Sequence, residues 1–407
     1  MKIATILFTY NRSDHTLRTL NALKENTVLP QKLVVFQDGL KCLKDKEEWN
    51  KVSLIINNID WCENQIIVSP NNKGLAASIV DGVTSVFEEN DAVIVLEDDC
   101  VSHPLFMKYV MDCLYKYKDE EKVFSINGYS WPLNVQGNGT DVYFAGRAGS
   151  WGWATWKNRW EYYEQDYTIL RSIKSSKEGN EQFEIWGRDL ESYLRGNIEG
   201  NCNSWAVFWS LQCIKRGGFC PTPYQSLIHN IGHDGTGVHC GDSELVDNVR
   251  KWNCLDKISL PDIVEYPVNY KDVFSDRFRW VSPEIRQICY NNILYQWNLL
   301  LQKRRSIKEY FINRKVETIA IWGKGQLCQL LLNEIRNQVH VVCIVESCPV
   351  TTSYEGLPII EPDRISVEVQ AVVIIPTYDK EAICRKIKNN WHMIGIDEIL
   401  NDLLNEG

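Results

Sequence analysis

Four short apolar runs, separated by stretches of helical period, organise the first hundred residues. Ile3–Thr9, Lys32–Gln37, Gln65–Ser69 and Ala92–Leu96 read as strands. The last contains Val93-Ile94-Val95-Leu96, an unbroken apolar stretch that suits a parallel strand covered on both faces. A helix is expected to Lys24, capped by Ser13 or Asp14, and a small-residue helix from Leu75 to Phe87. Strand–helix alternation of this kind predicts an α/β fold with a mostly parallel, doubly wound sheet. From about 123 to 245 the texture changes to aromatic and glycine-rich loops. Residues 284–315 read as helical with a basic end: Lys303, Arg304, Arg305, Lys308, Arg314 and Lys315 against Glu309. A fresh strand, Thr318–Trp322, then opens a second α/β unit with a helix to about Asn337 and strands Val339–Val345 and Ala371–Pro376.

The strand ends carry the chemistry. The first leaves Thr9, Tyr10, Asn11 and Arg12; the second Asp38-Gly39; the third Asn72-Lys73-Gly74; the fourth Glu97-Asp98-Asp99. In a parallel sheet all four fall on one rim, where such sheets place ligands. Three adjacent carboxylates repel one another unless a cation lies between them, and hard oxygen donors suit Mg²⁺ or Mn²⁺. A solvated acidic turn is the plainer reading of the triplet alone. Taken with an acid able to accept an imide N–H and a turn able to hold phosphates, the triplet describes a site for a nucleoside diphosphate and a metal.

Composition narrows the partners. A net charge of −9 over 407 residues argues against a nucleic-acid binder, which needs a basic face. Fifteen tryptophans and eighteen tyrosines suit carbohydrate as well as core. Fourteen cysteines, without a Cys-x-x-Cys pair, read as buried thiols of a reducing compartment. No signal peptide is expected ahead of the first strand, and no apolar run reaches the ~18–20 residues of a membrane span. A cytoplasmic protein is expected, with the basic stretch 303–315 able to approach the anionic inner face of a cell membrane.

The motifs Thr9-Tyr10-Asn11-Arg12, Asp38, Glu97-Asp98-Asp99, Ser150-Trp151-Gly152-Trp153-Ala154-Thr155-Trp156, Ser204-Trp205-Ala206-Val207-Phe208-Trp209 and Asn230-Ile231-Gly232-His233-Asp234-Gly235 occur in this order. Together they resemble a GT-A glycosyltransferase of the bacterial family-2 type, with an acidic motif similar to that of N-acetylglucosaminyltransferase I. The resemblance implies that Thr9, Tyr10 and Arg12 border the nucleobase and that Asp38 reads it. It further implies that Asn72, Lys73, Gly74 and Glu97 line the nucleotide-sugar site, that Asp98 holds the ribose, and that Asp99 is the metal ligand. His239 would complete the metal shell, and Trp153 and Trp205 would face the acceptor. One departure matters. Where the related pattern carries an acidic base beside the tryptophans, this chain has Ser204-Trp205-Ala206. A transferase that inverts needs a base for the acceptor hydroxyl; the candidates are Asp189, Glu191 and Asp234.

The expected organisation is a GT-A domain over 1–283, with a nucleotide-sugar half to about 122 and an acceptor half over 123–250. A basic helical linker (284–315) and a small Rossmann-like domain (316–407) follow. The expected activity is metal-dependent transfer of a hexose or N-acetylhexosamine from a UDP-sugar to an oligosaccharide or lipid-linked saccharide in bacterial surface-glycan biosynthesis. Two alternatives stand beside it. Ala206 suggests a binding protein without catalysis. Gly323-Lys324-Gly325 with Glu346 resembles a dinucleotide fingerprint and suggests an NAD-linked sugar-modifying enzyme, although Cys328 stands where a third glycine belongs.

Overall fold

A computed structural model describes the chain except residues 134, 138, 233–256, 279–282, 347–350, 381–382, 385–390 and 407. The chain divides into two compact units, Met1–Trp280 and Val281–Gly407. Each carries a six-stranded sheet with a parallel core.

In the first unit, β1 (Ile3–Thr9), β2 (Leu33–Gln37), β3 (Asn64–Val68) and β4 (Ala92–Glu97) run parallel in the order β3-β2-β1-β4. Four strands follow: β5 (Cys100–Ser102), β6 (Ile126–Asn127), β7 (Val142–Ala145) and β8 (Trp153–Trp156). Of these, β8 pairs antiparallel with β4, and β6 completes the sheet beside it. All seven residues of β1 are buried, because strands flank both its edges and helices cover both its faces. Its two-residue period divides it between layers. Ile3 and Leu7 join the core under α1 (Ser13–Lys24), α2 (Lys46–Asn57) and α4 (Phe106–Lys116), whereas Ala4, Ile6 and Phe8 pack with α3 (Leu75–Val86). Helix α2 is absent from the sequence expectation. Only Val52 and Ile56 of it are buried, and Leu54 faces solvent, so its apolar stripe is too thin to announce a helix.

The aromatic region read as loops holds five helices: α5 (Lys157–Trp160), α6 (Ile169–Lys174), α7 (Lys177–Trp186), α8 (Leu190–Glu199) and α9 (Trp205–Lys215). Strands β9 (Cys220–Pro223) and β10 (Ile228–Asn230) and helix α10 (Tyr270–Arg277) complete the unit. Helix α9 is apolar on all sides, the signature of a helix packed all round. Trp205, Trp209 and Cys213 meet the sheet-side core, while Val207, Phe208, Leu211 and Ile214 meet the core of α6, α7 and α10.

The second unit begins earlier than the sequence suggests. The expected linker is two helices, α11 (Pro283–Gln302) and α12 (Lys308–Arg314), separated where Arg304 takes a left-handed conformation at φ 56°. Ile293, Trp297 and Leu300 of α11 lie at i, i+4, i+7 and belong to the second unit's core. The basic residues serve the final helix, α14 (Ile396–Asn405). Lys303 Nζ donates to Leu404 O at 3.0 Å, Arg305 to the carbonyls of Leu403 and Glu406, and Arg314 pairs with Asp402 and Glu406 at 3.2 and 2.8 Å. Cations at a helix C-terminus meet unpaired carbonyls and the negative end of the dipole. These three side chains, offered by the sequence to a membrane surface, are thus engaged within the unit.

Its sheet comprises β11 (Thr318–Trp322), β12 (His340–Val345), β13 (Ser353–Tyr354), β14 (Leu357–Ile360), β15 (Ala371–Ile374) and β16 (His392–Gly395), with α13 (Gln326–Ile335) after β11. The order is β13-β14-β12-β11-β15-β16, parallel throughout except for the β13–β14 hairpin. Cys328 is fully buried against this sheet, so the position expected to need glycine accommodates a thiol in the core. Every described cysteine is a free thiol. Among the described residues no helix is long and apolar enough to cross a membrane.

Candidate active site

In the first sheet the strand order reverses between β1 and β4, and their carboxyl ends open a crevice where such folds hold ligands. Register pairs Phe8 with Glu97, so the residues following each strand meet. Arg12 spans that crevice. Its Nη2 donates to Asp98 Oδ1 and, at 2.9 Å, to Asp99 Oδ2; its Nε lies 3.4 Å from Asp98 Oδ2. Both aspartates are 5% exposed. Burial disfavours charge on the guanidinium, yet Asp98 and then Asp99 outweigh it and hold Arg12 above its ordinary value. Burial pushes Asp98 up to about 6 against the pull of Arg12. Glu97 is pushed up as well, by burial and then by the charges of Asp99 and Asp98.

A second ribbon closes on the same acid. Strand β10 pairs antiparallel with β5, directly after Asp99, and carries Asn230 to within 3.4 Å of Asp99 Oδ1. The Ile231 amide donates to Asp99 O at 2.9 Å, and Gly232 N donates to Asn230 Oδ1 at 2.8 Å. A Cβ on Gly232 would stand 2.3 Å from Asp99 Oδ2, so only glycine leaves that oxygen its space. Beneath the ribbon, buried His15 places Nε2 3.2 Å from Ile231 O, and Thr19 donates to Asp98 O at 2.8 Å. The sequence assigns no role to Asn230, His15 or Thr19, because the contacts bridge up to 216 positions along the chain.

Asp38 directly follows β2, as expected, and its carboxylate organises the neighbouring turn. Oδ1 accepts from Gly39 N at 2.8 Å and Lys73 N at 2.9 Å, and Oδ2 from Gly74 N at 2.9 Å. Asn72 Nδ2 donates to Gly39 O at 2.8 Å. Gly39 is required here by close approach: a Cβ would lie 2.2 Å from the Asn71 carbonyl carbon. Gly74, at φ 77°, starts α3, and Lys73 reaches Asp81 at 2.7 Å. Thr9 Oγ1 donates to Phe36 O, and Tyr10 donates to Asp45 at 2.9 Å, its hydroxyl pushed up to about 12, mainly by burial. The rim residues named from the four strand ends thus form two linked sets, one around Asp38 and one around Arg12, Asp98 and Asp99.

The donor chemistry fits a hard divalent cation. Glu97, Asp98 and Asp99 outnumber the one guanidinium between them, and Gly232 puts no side chain against Asp99 Oδ2, which Arg12 Nη2 meets from its own side. Among the described residues no three His, Cys, Asp or Glu side chains converge as a ligand set. A magnesium-type ion needs only one or two carboxylates when phosphates and water complete its shell. Arg12 Nη1 adds a further sign: it is buried and has no hydrogen-bond partner among the described residues. An unmet buried donor is costly, and an anionic oxygen is its natural complement.

The remaining expectations fare differently. Trp153 and Trp205 are 0% and 3% exposed; they pack on each other at 5.1 Å between centroids, Trp153 also on Trp160 and Trp209 at 5.7 and 6.0 Å, and Trp205 on Trp160 at 6.4 Å. They are core, not sugar platforms, because the sheet and α9 enclose both indoles. Trp151 is half-buried and meets Tyr129 edge-on at 4.6 Å. Asp189 forms a two-pronged pair with Arg147 at 2.6 and 3.0 Å, and Glu191 pairs with Lys174 at 2.8 Å. Asp234 and His239 lie outside the described residues.

No family model matches the chain, and no curated protein matches it. Several solved structures are similar to it at low identity. Residues 1–349 of S. aureus TarS match with 11% identity and a TM-score of 0.33, over 57% of this chain and 62% of that one. The same protein in complex with UDP-GlcNAc matches with 12% identity and a TM-score of 0.32, over 56% and 58%. The mannosyltransferase PcManGT from Pyrobaculum calidifontis, in complex with GDP-Man and Mn²⁺, matches with 9% identity and a TM-score of 0.32, over 53% and 69%. The chain therefore spans less than two thirds of the TarS segment it resembles.

Proposed function

We propose that the first unit is a metal-dependent glycosyltransferase that moves a hexose or N-acetylhexosamine from a nucleotide sugar, UDP-linked, to a saccharide acceptor of a bacterial surface glycan. The observation that carries this reading is the meeting of Arg12, Asp98 and Asp99 at the β1/β4 crevice, with a buried guanidinium nitrogen that has no partner among the described residues. Asp99, with Asp98 beside it, would hold Mn²⁺ or Mg²⁺. Bound there, the ion would neutralise the diphosphate as it leaves. Asp98 also accepts from a ribose hydroxyl. Arg12 gives Nη1 to a diphosphate oxygen, which satisfies the donor left without a partner among the described residues. Asp38 holds the 72–74 turn at the rim and retains an acceptor lone pair on Oδ2 for a base N–H. In the transfer an acceptor hydroxyl oxygen bonds to the anomeric carbon, the bond from that carbon to phosphate oxygen breaks, and a base takes the hydroxyl proton.

A second reading, donor binding without transfer, draws on the ion pairs that occupy Asp189 and Glu191. Calorimetric titration with UDP and Mn²⁺, followed by a UDP-release assay across saccharide acceptors, separates the two. Metal-dependent UDP binding that disappears in Asp99→Ala supports the site; UDP binding that ignores both the metal and this substitution overturns it. Turnover kept in full by Asp189→Asn, Glu191→Gln and Asp234→Asn would remove all three from the role of base.

A further inference from the structure

The second unit has a crevice of its own. Its sheet order reverses between β11 and β15, and at their carboxyl ends lies a cavity of about 550 Å³, within the size range of small-molecule sites. Strand β11 runs into Gly323-Lys324-Gly325, with φ 94° and 114° at the two glycines, backbone angles that L side chains avoid. A Cβ on Gly323 would press on Pro376 at 3.0 Å, whereas one on Gly325 would meet nothing within 4 Å. The turn is therefore packed on one side and open on the other, and it leads directly into α13.

The walls are polarised. Arg286 and Lys324 contribute two cations, and Glu346, at the end of β12, contributes one carboxylate 3.2 Å from Lys324. The surplus is positive. Much of the remaining lining is apolar or aromatic, with Tyr290, Pro376 and Tyr378 among it, and the Arg286 guanidinium stands 5.7 Å from the Tyr378 ring centre. An inorganic anion would use the cations and waste the rings. A flat heterocycle joined to a phosphate chain uses both.

We propose that this cavity binds a single nucleoside diphosphate through its phosphates, ribose and base together. The phosphates meet Lys324 and the amides at the start of α13, the carboxylate of Glu346 accepts from ribose hydroxyls, and the base lies against the Tyr378 and Arg286 wall. A dinucleotide is not the match. Strands β11, β12 and β14 complete one mononucleotide-binding half, but only β15 and β16 extend the sheet on the other side. The site involves the second unit alone and is independent of the activity proposed for the first.

The test uses the full chain carrying Asp99→Ala, in EDTA, titrated calorimetrically with ADP, UDP, GDP and CDP and separately with NAD⁺. At least one diphosphate is expected to bind at one per chain. Lys324→Glu and Arg286→Glu are each expected to weaken it by about tenfold or more, the loss of a charge-assisted contact. Melting followed by circular dichroism checks that each variant is folded, and the milder Lys324→Gln serves if the charge reversal is not. Absence of binding by all four diphosphates overturns the proposal. So does binding undiminished in both the Lys324 and Arg286 variants, and so does NAD⁺ binding about tenfold tighter than ADP.

Discussion

The two sheets share a plan and differ in what they place at its centre. Both reverse direction beside their first strand, β1 against β4 and β11 against β15, and both open a crevice there. In the first, the strand ends supply Glu97, Asp98 and Asp99, with Arg12 between the aspartates. In the second, they supply Gly323, Lys324 and Gly325, with one acid paired to the lysine. Topology makes the crevice; the few residues beyond the last hydrogen-bonded pair decide which side chains line it, mostly acids in the first and mostly cations in the second. Fold alone therefore does not assign chemistry.

The contrast can be broken at either end. The largest effect is expected from Asp99→Ala, which should lower sugar transfer by about three orders of magnitude, read as UDP release. Next comes the packing beneath the acidic crevice. Trp153→Ala should cost about 3–5 kcal/mol in a denaturant titration, the range for emptying a buried aromatic site. Trp151→Ala, at a half-buried ring, should alter acceptor KM with much less loss of stability. Arg12→Met leaves two buried carboxylates facing each other and should destabilise the metal-free protein by about 3 kcal/mol. Millimolar Mn²⁺ should restore most of that loss by supplying the missing positive charge, measured as a shift in melting temperature. If it restores nothing, the acids are held for structure and not for a cation.

Smaller effects sharpen the other side. Cys328→Gly, which recreates a third glycine in α13, should destabilise the second unit by about 2 kcal/mol, because it empties a packed position and loosens a helix. A neutral or stabilising result would mean that the thiol is tolerated rather than packed. Asp38→Asn should cost about 1 kcal/mol, since an amide keeps Oδ1 for two of the three amides and loses the bond to Gly74. Equilibrium unfolding measures both.

The sequence made legible whatever depends on local pattern. Unbroken apolar runs marked the buried parallel strands, and their polar ends marked the rim, because a strand buried on both faces has only its termini free for chemistry. It was silent on features set by distant partners. Asp38 looked like a reader of bases, but its three backbone partners appear only once β2 and the turn before α3 are side by side. Arg12 looked like part of a nucleobase border, and only the fold sets it across 86 residues onto Asp98. Trp153 and Trp205 looked available to sugar because tryptophan suits both sugar and core; their burial is decided by α9. A base for the proposed transfer has no local signature at all, since any carboxylate at the right place serves.

Helix α9 has a further consequence, for how the first unit comes apart. One side of it belongs to the sheet's core and the other to the core of α6, α7 and α10, so neither layer can lose its packing without exposing the helix they share. Helices α6, α7 and α10 should therefore melt with the β1–β4 sheet in one transition, and amides of Phe208 to Leu211 should exchange with solvent only through opening of the whole unit. The link that makes the layers cooperative also keeps the two aromatic cores from adjusting independently.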